Sequence, residues 1–446
     1  MLLGLNISFN KDEVFGQSLN GDLDSEQSRA VSTSACNGVT VLTGGPGTGK
    51  TTTIKAMIEY FTGIGLEVVL CAPTGRAAKR MTESTGMEAM TIHRLLEVKK
   101  GADNDSEDTN IFLRGENYPI EADVIIVDEA SMVDIILFYH LLKAVPLDTR
   151  LILVGDANQL PSVGPGNVLK DIIHSERFPV VKLTRIFRQE KRSDIVINAH
   201  KIQNDEDIVL SNESYDFFFL KRDTPQSVIS TLLTLIKKKL PNYVESPEGE
   251  IQVLTPARKG LLGVESLNIT LQEYLNPDSR EKEEQGFGER IFRTGDKVMQ
   301  IKNNYQMPWR ILDENEHIQD EGIGVFNGDI GVIKGINSYV RIITVEFDDK
   351  RIADYPFNQA EELEHAFALT VHKSQGSEYP AIVIPLLNVP RMLMNRNLIY
   401  TAITRAKKCV VIVGDEEIFR AMIKNNSILN RYSGLCDSIL QQTEEG

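Results

Sequence analysis

The run Gly44-Gly45-Pro46-Gly47-Thr48-Gly49-Lys50-Thr51 constrains this chain more than any other stretch. It fits G-x-x-x-x-G-K-[ST], follows an apolar run at 39–43 and precedes a helical stretch that starts near Lys50. A glycine-rich turn at the carboxyl end of a strand lets backbone N–H groups and a helix N-terminus surround a phosphate. Lys50 then reaches the β/γ-phosphates and the Thr51 hydroxyl coordinates Mg²⁺, with Gly45, Pro46, Gly47, Thr48, Gly49 and Thr52 completing the nucleotide cradle.

Further β-rich runs at 68–72, 124–127 and 151–154 each end in a polar or glycine-containing loop. Alternation of such strands with helical stretches predicts a parallel sheet covered by helices, with ligands beyond the strands' carboxyl ends. The second of these runs delivers Asp128 and Glu129, one carboxylate to hold Mg²⁺ and one to orient and deprotonate an attacking water. The third leads into GDANQLPSVGPG, where Gln159 is placed to sense the γ-phosphate and a Pro/Gly-rich tail to transmit the change. Two segments, LTRIFRQ with Arg188 and LIYTAITRA with Arg405, carry arginines in apolar surroundings. A second domain that supplies Arg to the γ-phosphate couples hydrolysis to closure of a cleft.

At 446 residues the chain is too long for one core. Apolar runs at 251–255, 381–385 and 410–413 predict a second α/β domain, split by a β-rich insert over about 293–355 whose short strands alternate like those of a small barrel. Within it, MPWRILDENEHIQDEG reads as a polar loop holding Trp309, the only tryptophan. A polar stretch at 99–118 reads as an exposed insertion in the first domain, either a hairpin or a disordered surface loop. The expected layout is a lead-in at 1–22, a first domain at 23–190, a second at 191–440 and a tail at 441–446. Cys36, Cys71, Cys409 and Cys436 lack a C-x-x-C spacing, which argues against structural zinc or a disulfide framework. A net charge of −15 argues against coating nucleic acid by bulk attraction but leaves room for a narrow basic track. The N-terminus offers no apolar signal-peptide core and no apolar run is long enough to span a bilayer, so a cytoplasmic location without membrane association is expected.

Taken in order, GGPGTGKTT, APTGRAAKRM, TIHRLLE, VDEASMVD, VGDANQLPSVGPG, LTRIFRQ, TVHKSQGSEYP and LIYTAITRAKK resemble the motifs of superfamily 1 DNA helicases, nearest to the RecD-like kind that works without RecB and RecC. The resemblance runs from about Leu23 to Tyr432. It implies two RecA-like P-loop NTPase domains, a strand-separating pin at 99–119 and an SH3-like barrel at 293–355. ATP would lie between the domains, with single-stranded DNA across their tops and 5′-to-3′ travel. It also implies that Gln27 reads adenine, that Arg188 and Arg405 reach the γ-phosphate, and that Gly376 and Glu378 border both nucleotide and DNA. The matching DNA positions are Pro73, Thr74, Arg76, Thr91, His93, Thr255, Pro256, Arg258, His372, Lys373 and Ser374. These donors, cations and prolines suit backbone tracking without base reading. The implied partners are single-stranded DNA and single/double-strand junctions, with a monomeric motor and single-strand-binding or repair proteins beside it. Alternatives are a motor subunit of a nuclease–helicase assembly, or a translocase that does not unwind alone. Stand-alone relatives carry a long region with helix-hairpin-helix elements before the motor; here the motifs begin within about two dozen residues. The tip of the pin segment, ADNDSED, is acidic, unlike a strand-facing wedge.

Overall fold

A computed structural model describes residues 1–5, 8, 23–98, 112–187, 192–210, 212–288, 290–426, 431 and 433–444. The chain divides into two compact units, residues 1–206 with 427–446 and residues 207–426.

In unit 1 the elements run α1 (Ser25–Cys36), β1 (Val39–Gly44), α2 (Lys50–Gly63), β2 (Val68–Ala72), α3 (Gly75–Thr85), β3 (Ala89–Thr91) and α4 (Ile92–Leu95). They continue with β4 (Val124–Val127), α5 (Ile135–Ala144), β5 (Arg150–Gly155), α6 (Val168–His174), β6 (Val180–Leu183) and α7 (Asp194–Asn204). The six strands pair in the order β3-β2-β4-β5-β1-β6, every pair parallel. Strands buried on both faces need no polar alternation, which is why β4 reads VIIV. Ile125 and Val127 pack on one face with Phe138 and Leu141 of α5. Val124 and Ile126 pack on the other with Ile54, Met57 and Phe61 of α2.

Unit 2 contains β7 (Phe217–Lys221), α8 (Pro225–Thr234), α9 (Leu240–Val244), β8 (Ile251–Thr255) and α10 (Val264–Leu275). After the insert come β18 (Ala368–Thr370), β19 (Tyr379–Leu386), α11 (Arg396–Ile403), β20 (Ala406–Gly414) and α12 (Glu416–Lys424). Its all-parallel sheet has the order β18-β8-β19-β20-β7. The insert opens with a hairpin, β9 (Glu284–Phe287) and β10 (Arg290–Arg293). There follow β11 (Lys297–Gln300), β12 (Asn304–Leu312), β13 (Ile318–Val325), β14 (Ile330–Asn337), β15 (Ile342–Phe347), β16 (Ile352–Pro356) and β17 (Leu363–His365). These seven form an antiparallel sheet, β13-β12-β16-β15-β14-β11-β17, around Val298, Ile333, Val345 and Tyr355. Two RecA-like sheets with an SH3-like insert are therefore the architecture.

The loop expected around Trp309 is instead the β12–β13 ribbon. β12 is mostly half-buried and β13 is exposed on both faces over 318–321, so the period-2 signal is weak. Trp309 faces Gly322 across the ladder, where a Cβ would come within 2.5 Å of the indole. The glycine thus makes room for the ring. Only residues 313–317 turn, with Asp313 Oδ1 accepting from the backbone N–H of Asn315 and His317 at 2.8 and 2.9 Å.

Residues 191–206 and 427–446, which the sequence reading assigns to the second domain and tail, group with unit 1. The last helix, α13 (Leu435–Glu444), packs on α6. Arg431 donates to the carbonyls of Gly164 and Gly166 at 2.7 and 3.2 Å, and Ser433 donates to Asp171 at 2.5 Å. Of the pin-like segment, residues 99–111 lie outside the described residues. In its remainder, Phe112 bridges to Val98 and Gly115 pairs with Tyr118.

Candidate active site

Three neighbouring strands of unit 1, β4, β5 and β1, end at the same edge of the sheet and carry Asp128–Glu129, the loop after Gly155 and the glycine-rich loop. The loop between β1 and α2 is held by its own atoms. Thr48 Oγ1 donates to Gly45 O at 2.8 Å, and Thr53 Oγ1 donates to Gly49 O at 2.9 Å. Lys50 Nζ donates inward to Gly44 O and Gly45 O at 2.7 and 3.1 Å, whereas Thr51 and Thr52 are exposed.

Gly49 shows why the loop needs glycine. Its φ is +79°, and a Cβ would lie 2.5 Å from Gln27 Nε2 and 2.7 Å from the Phe187 ring. Gln27 is buried and closes a capping box with Asp24 at the start of α1, which fixes its side chain against the loop. From the other side, Phe187 N donates to Gly47 O at 3.2 Å, tying the LTRIF segment to the same backbone. Arg188 itself lies outside the described residues.

Asp128 and Glu129 are adjacent, and Arg80 lies against the pair. Arg80 Nη2 donates to Glu129 Oε1 at 2.6 Å, with the Glu129 side chain 8% exposed. Asp128 Oδ1 accepts from Glu129 N at 2.8 Å. Burial and the neighbouring Glu129 charge push the Asp128 carboxyl above the ordinary range, only partly offset by Arg80, that N–H and Lys50. Glu129 holds a left-handed backbone, φ +52°, uncommon for a residue with a Cβ. Crowded carboxylates of this kind suit a bound divalent cation, which reverses the local repulsion. Among the described residues no cluster of three or more His, Cys, Asp or Glu could hold a metal by itself. The Asp128 carboxylate and the exposed Thr51 hydroxyl are oxygen donors of the kind a hard divalent cation takes.

Sequence reasoning missed Arg80 and His200. Arg80 sits one turn past Arg76 on α3, a periodicity signal that was available. His200 of α7 meets Pro46 O at 3.3 Å through Nε2, and nothing local in the sequence announces it. Gln159 is buried, with Nε2 3.5 Å from Asp156 Oδ2.

The remaining predicted residues of unit 1 cluster at the starts of short helices. Thr74 caps α3 by accepting from Ala77 N, beside half-buried Pro73 and Arg76. Thr91 caps α4 by accepting from Arg94 N. The His93 ring lies tilted beside Phe112, ring centroids 5.8 Å apart, and burial pushes its pKa down against the pull of Asp134.

In unit 2, Thr255 and Ser374 are buried, and their hydroxyls donate to Leu262 O and Val371 O. Pro256 is buried, whereas Arg258, His372 and Lys373 retain exposure. Arg405, 2% exposed, donates to Thr401 O and Ser377 O at 3.3 Å each, so it buttresses the turn carrying Gly376 and Glu378. Glu378 is exposed and pairs with Lys407 at 3.6 Å.

Family models agree with this arrangement. Residues 27–165 match an AAA domain, 267–347 the SH3 domain of ATP-dependent RecD-like DNA helicases, and 365–413 a UvrD-like helicase C-terminal domain. The ATP-dependent RecD2 DNA helicase of Deinococcus radiodurans is 35% identical over 86% of this chain and 48% of its own length. A protein of Methanocaldococcus jannaschii, MJ1519, is 29% identical over 91% of this chain and 39% of its own. The chain thus spans about half or less of the length of these two relatives. The RecBCD enzyme subunit RecD of Mycobacterium tuberculosis is 32% identical over 92% of this chain and 72% of its own. Among solved structures, a Pif1 helicase studied at forked double-stranded DNA shares the fold at a TM-score of 0.51 and 21% identity, covering 95% of this chain and 98% of that one. Sequence relatives over most of the chain and the barrel-specific match together place this chain in the RecD-like helicase family.

Proposed function

We propose that the chain is the ATP-hydrolysing motor of a DNA helicase that moves 5′ to 3′ on single-stranded DNA and separates the duplex it meets. One observation carries the reading: a phosphate loop, an acid pair and the Gln159 loop at the ends of three adjacent parallel strands. Lys50 exchanges its two backbone carbonyls for nucleotide phosphates. Gln27, fixed beside Gly49, positions the base. Glu129, released from or oriented by Arg80, takes the proton of the attacking water. Thr51 and Asp128 would hold Mg²⁺, which supplies charge neutralisation across the phosphates when bound. Gln159, Arg188 and Arg405 respond to the γ-phosphate, and Gly376 and Glu378 relay its state to the strand. Pro73, Thr74, Arg76, Thr91, His93, Thr255, Pro256, Arg258, His372, Lys373 and Ser374 form the track, with the buried hydroxyls shaping backbone rather than donating outward.

The names of the RecBCD relatives favour a second reading, a motor subunit that needs partners. Among the described residues no helix is long and apolar enough to cross a membrane. Unwinding by the isolated chain of matched duplexes with a 5′ or a 3′ single-stranded tail tests both readings. Separation of the 5′-tailed duplex alone is expected. Preference for the 3′ tail overturns the polarity, and no unwinding of either favours the dependent subunit.

A further inference from the structure

Four side chains from separate stretches of unit 2 meet where the barrel joins the parallel sheet. Glu364, in β17, accepts through Oε1 from Arg258 Nη2 at 3.2 Å and Arg290 Nη2 at 3.0 Å, and through Oε2 from Lys373 Nζ at 2.7 Å. Arg258 follows β8, Arg290 opens β10, and Lys373 lies in the turn after β18. Glu265 takes the Arg258 Nε–H at 3.0 Å. Within this bonded set three cations face two carboxylates, and the adjoining cavity wall adds Lys259 and Arg293 against Glu273 and Glu361. The cations remain open to solvent, at 60%, 37% and 33% exposure for Arg258, Arg290 and Lys373, while Glu364 is 16% exposed. A cavity of about 1020 Å³ borders the cluster, lined in part by Arg258, Arg290, Glu364 and Phe287.

We propose that Arg258, Arg290 and Lys373 form a phosphodiester-binding site in which Glu364 is a resident anion that an arriving single strand displaces. The inference rests on the strand-binding reading above and adds two residues to it, Arg290 and Glu364. Ion pairs between partly exposed groups contribute little net stability, so the exchange of one anion for another costs little. A phosphate oxygen accepts from the same guanidinium and ammonium donors as a carboxylate. Burial pushes the Glu364 carboxyl up, but the Lys373 hydrogen bond and the charges of Lys373, Arg290 and Arg258 outweigh it and hold the group below the ordinary carboxylate range. It is therefore ionised at neutral pH and competes with phosphate. An unoccupied track stays masked by its own carboxylate, which favours a continuous strand over isolated anions.

The test is fluorescence anisotropy of a labelled oligothymidylate with the whole chain, titrated at several salt concentrations, for wild type, E364Q, R290Q and R290K. E364Q keeps the shape and removes the competing charge, so binding should tighten by about 3- to 10-fold. R290Q should weaken binding by a similar factor and flatten the slope of log affinity against log salt by about 0.7, the loss of one phosphate contact on a single strand, whereas R290K should keep the slope. Unchanged or weaker binding by E364Q, or a wild-type slope in R290Q, overturns the proposal. Should E364Q fail to fold, the contrast between R290Q and R290K decides alone. Wild type that binds no oligonucleotide removes the strand-binding reading as well; wild type that binds while the variants behave like it removes only this inference.

Discussion

Asp128→Asn should make the nucleotide-free protein more stable while abolishing turnover. Arg80 bonds to Glu129 and offsets only part of the cost at Asp128, whose carboxyl is pushed above its ordinary range by burial and by Glu129. The substituted amide keeps an oxygen to accept the Glu129 N–H and removes the surplus charge. Lys50 and that N–H already compensate part of the cost, so the expected gain is about 1 kcal/mol, of the size that relieving a functional-site conflict usually returns. In a unit of this size that raises Tm by about 2–4 °C. The sign with pH follows from linkage. Raising a carboxyl's pKa on folding destabilises the ionised native state, fully so above the raised folded value and not at all below the unfolded value near 3.8. The Tm advantage of D128N should therefore be greatest at neutral pH and fade as the solution is acidified. Calorimetric melts across pH without nucleotide provide the check. A variant that melts lower than wild type at neutral pH, or a gap indifferent to pH, refutes the reasoning.

Glu129→Gln keeps the Arg80 contact but removes the proton acceptor, so turnover should fall by ~10²- to 10⁴-fold with nucleotide binding retained; steady-state ATPase beside a fluorescent-nucleotide titration measures both, and wild-type turnover would remove Glu129 from its role. Gly49→Ala places a Cβ against Gln27 and Phe187 at a left-handed φ, so stability should drop by roughly 2–4 kcal/mol from strain and overpacking together; a melt within a degree of wild type would contradict the contact geometry.

The strand ends were readable because buried parallel strands write themselves as unbroken apolar runs: β2, β4 and β8 fall on the expected residues, and β1 and β5 extend by one or two. The phosphate loop was readable because its glycines and Lys50 are contiguous. Contacts made across the fold were not. Arg80 reaches Glu129 across 49 positions, and Arg431 reaches Gly164 across 267. No local pattern encodes pairings at such separation. Past Trp309 the ribbon hides its strands, since β12 is only half-buried and 318–321 are exposed on both faces, which leaves little apolar period to read.

ATP hydrolysis by the purified chain with and without single-stranded oligonucleotide, with Lys50→Ala alongside, probes the motor most directly. Weak hydrolysis alone, strong stimulation by the oligonucleotide and none in K50A is the expected result. Hydrolysis at the same rate whether or not DNA is present, or stimulation that survives in K50A, would contradict it.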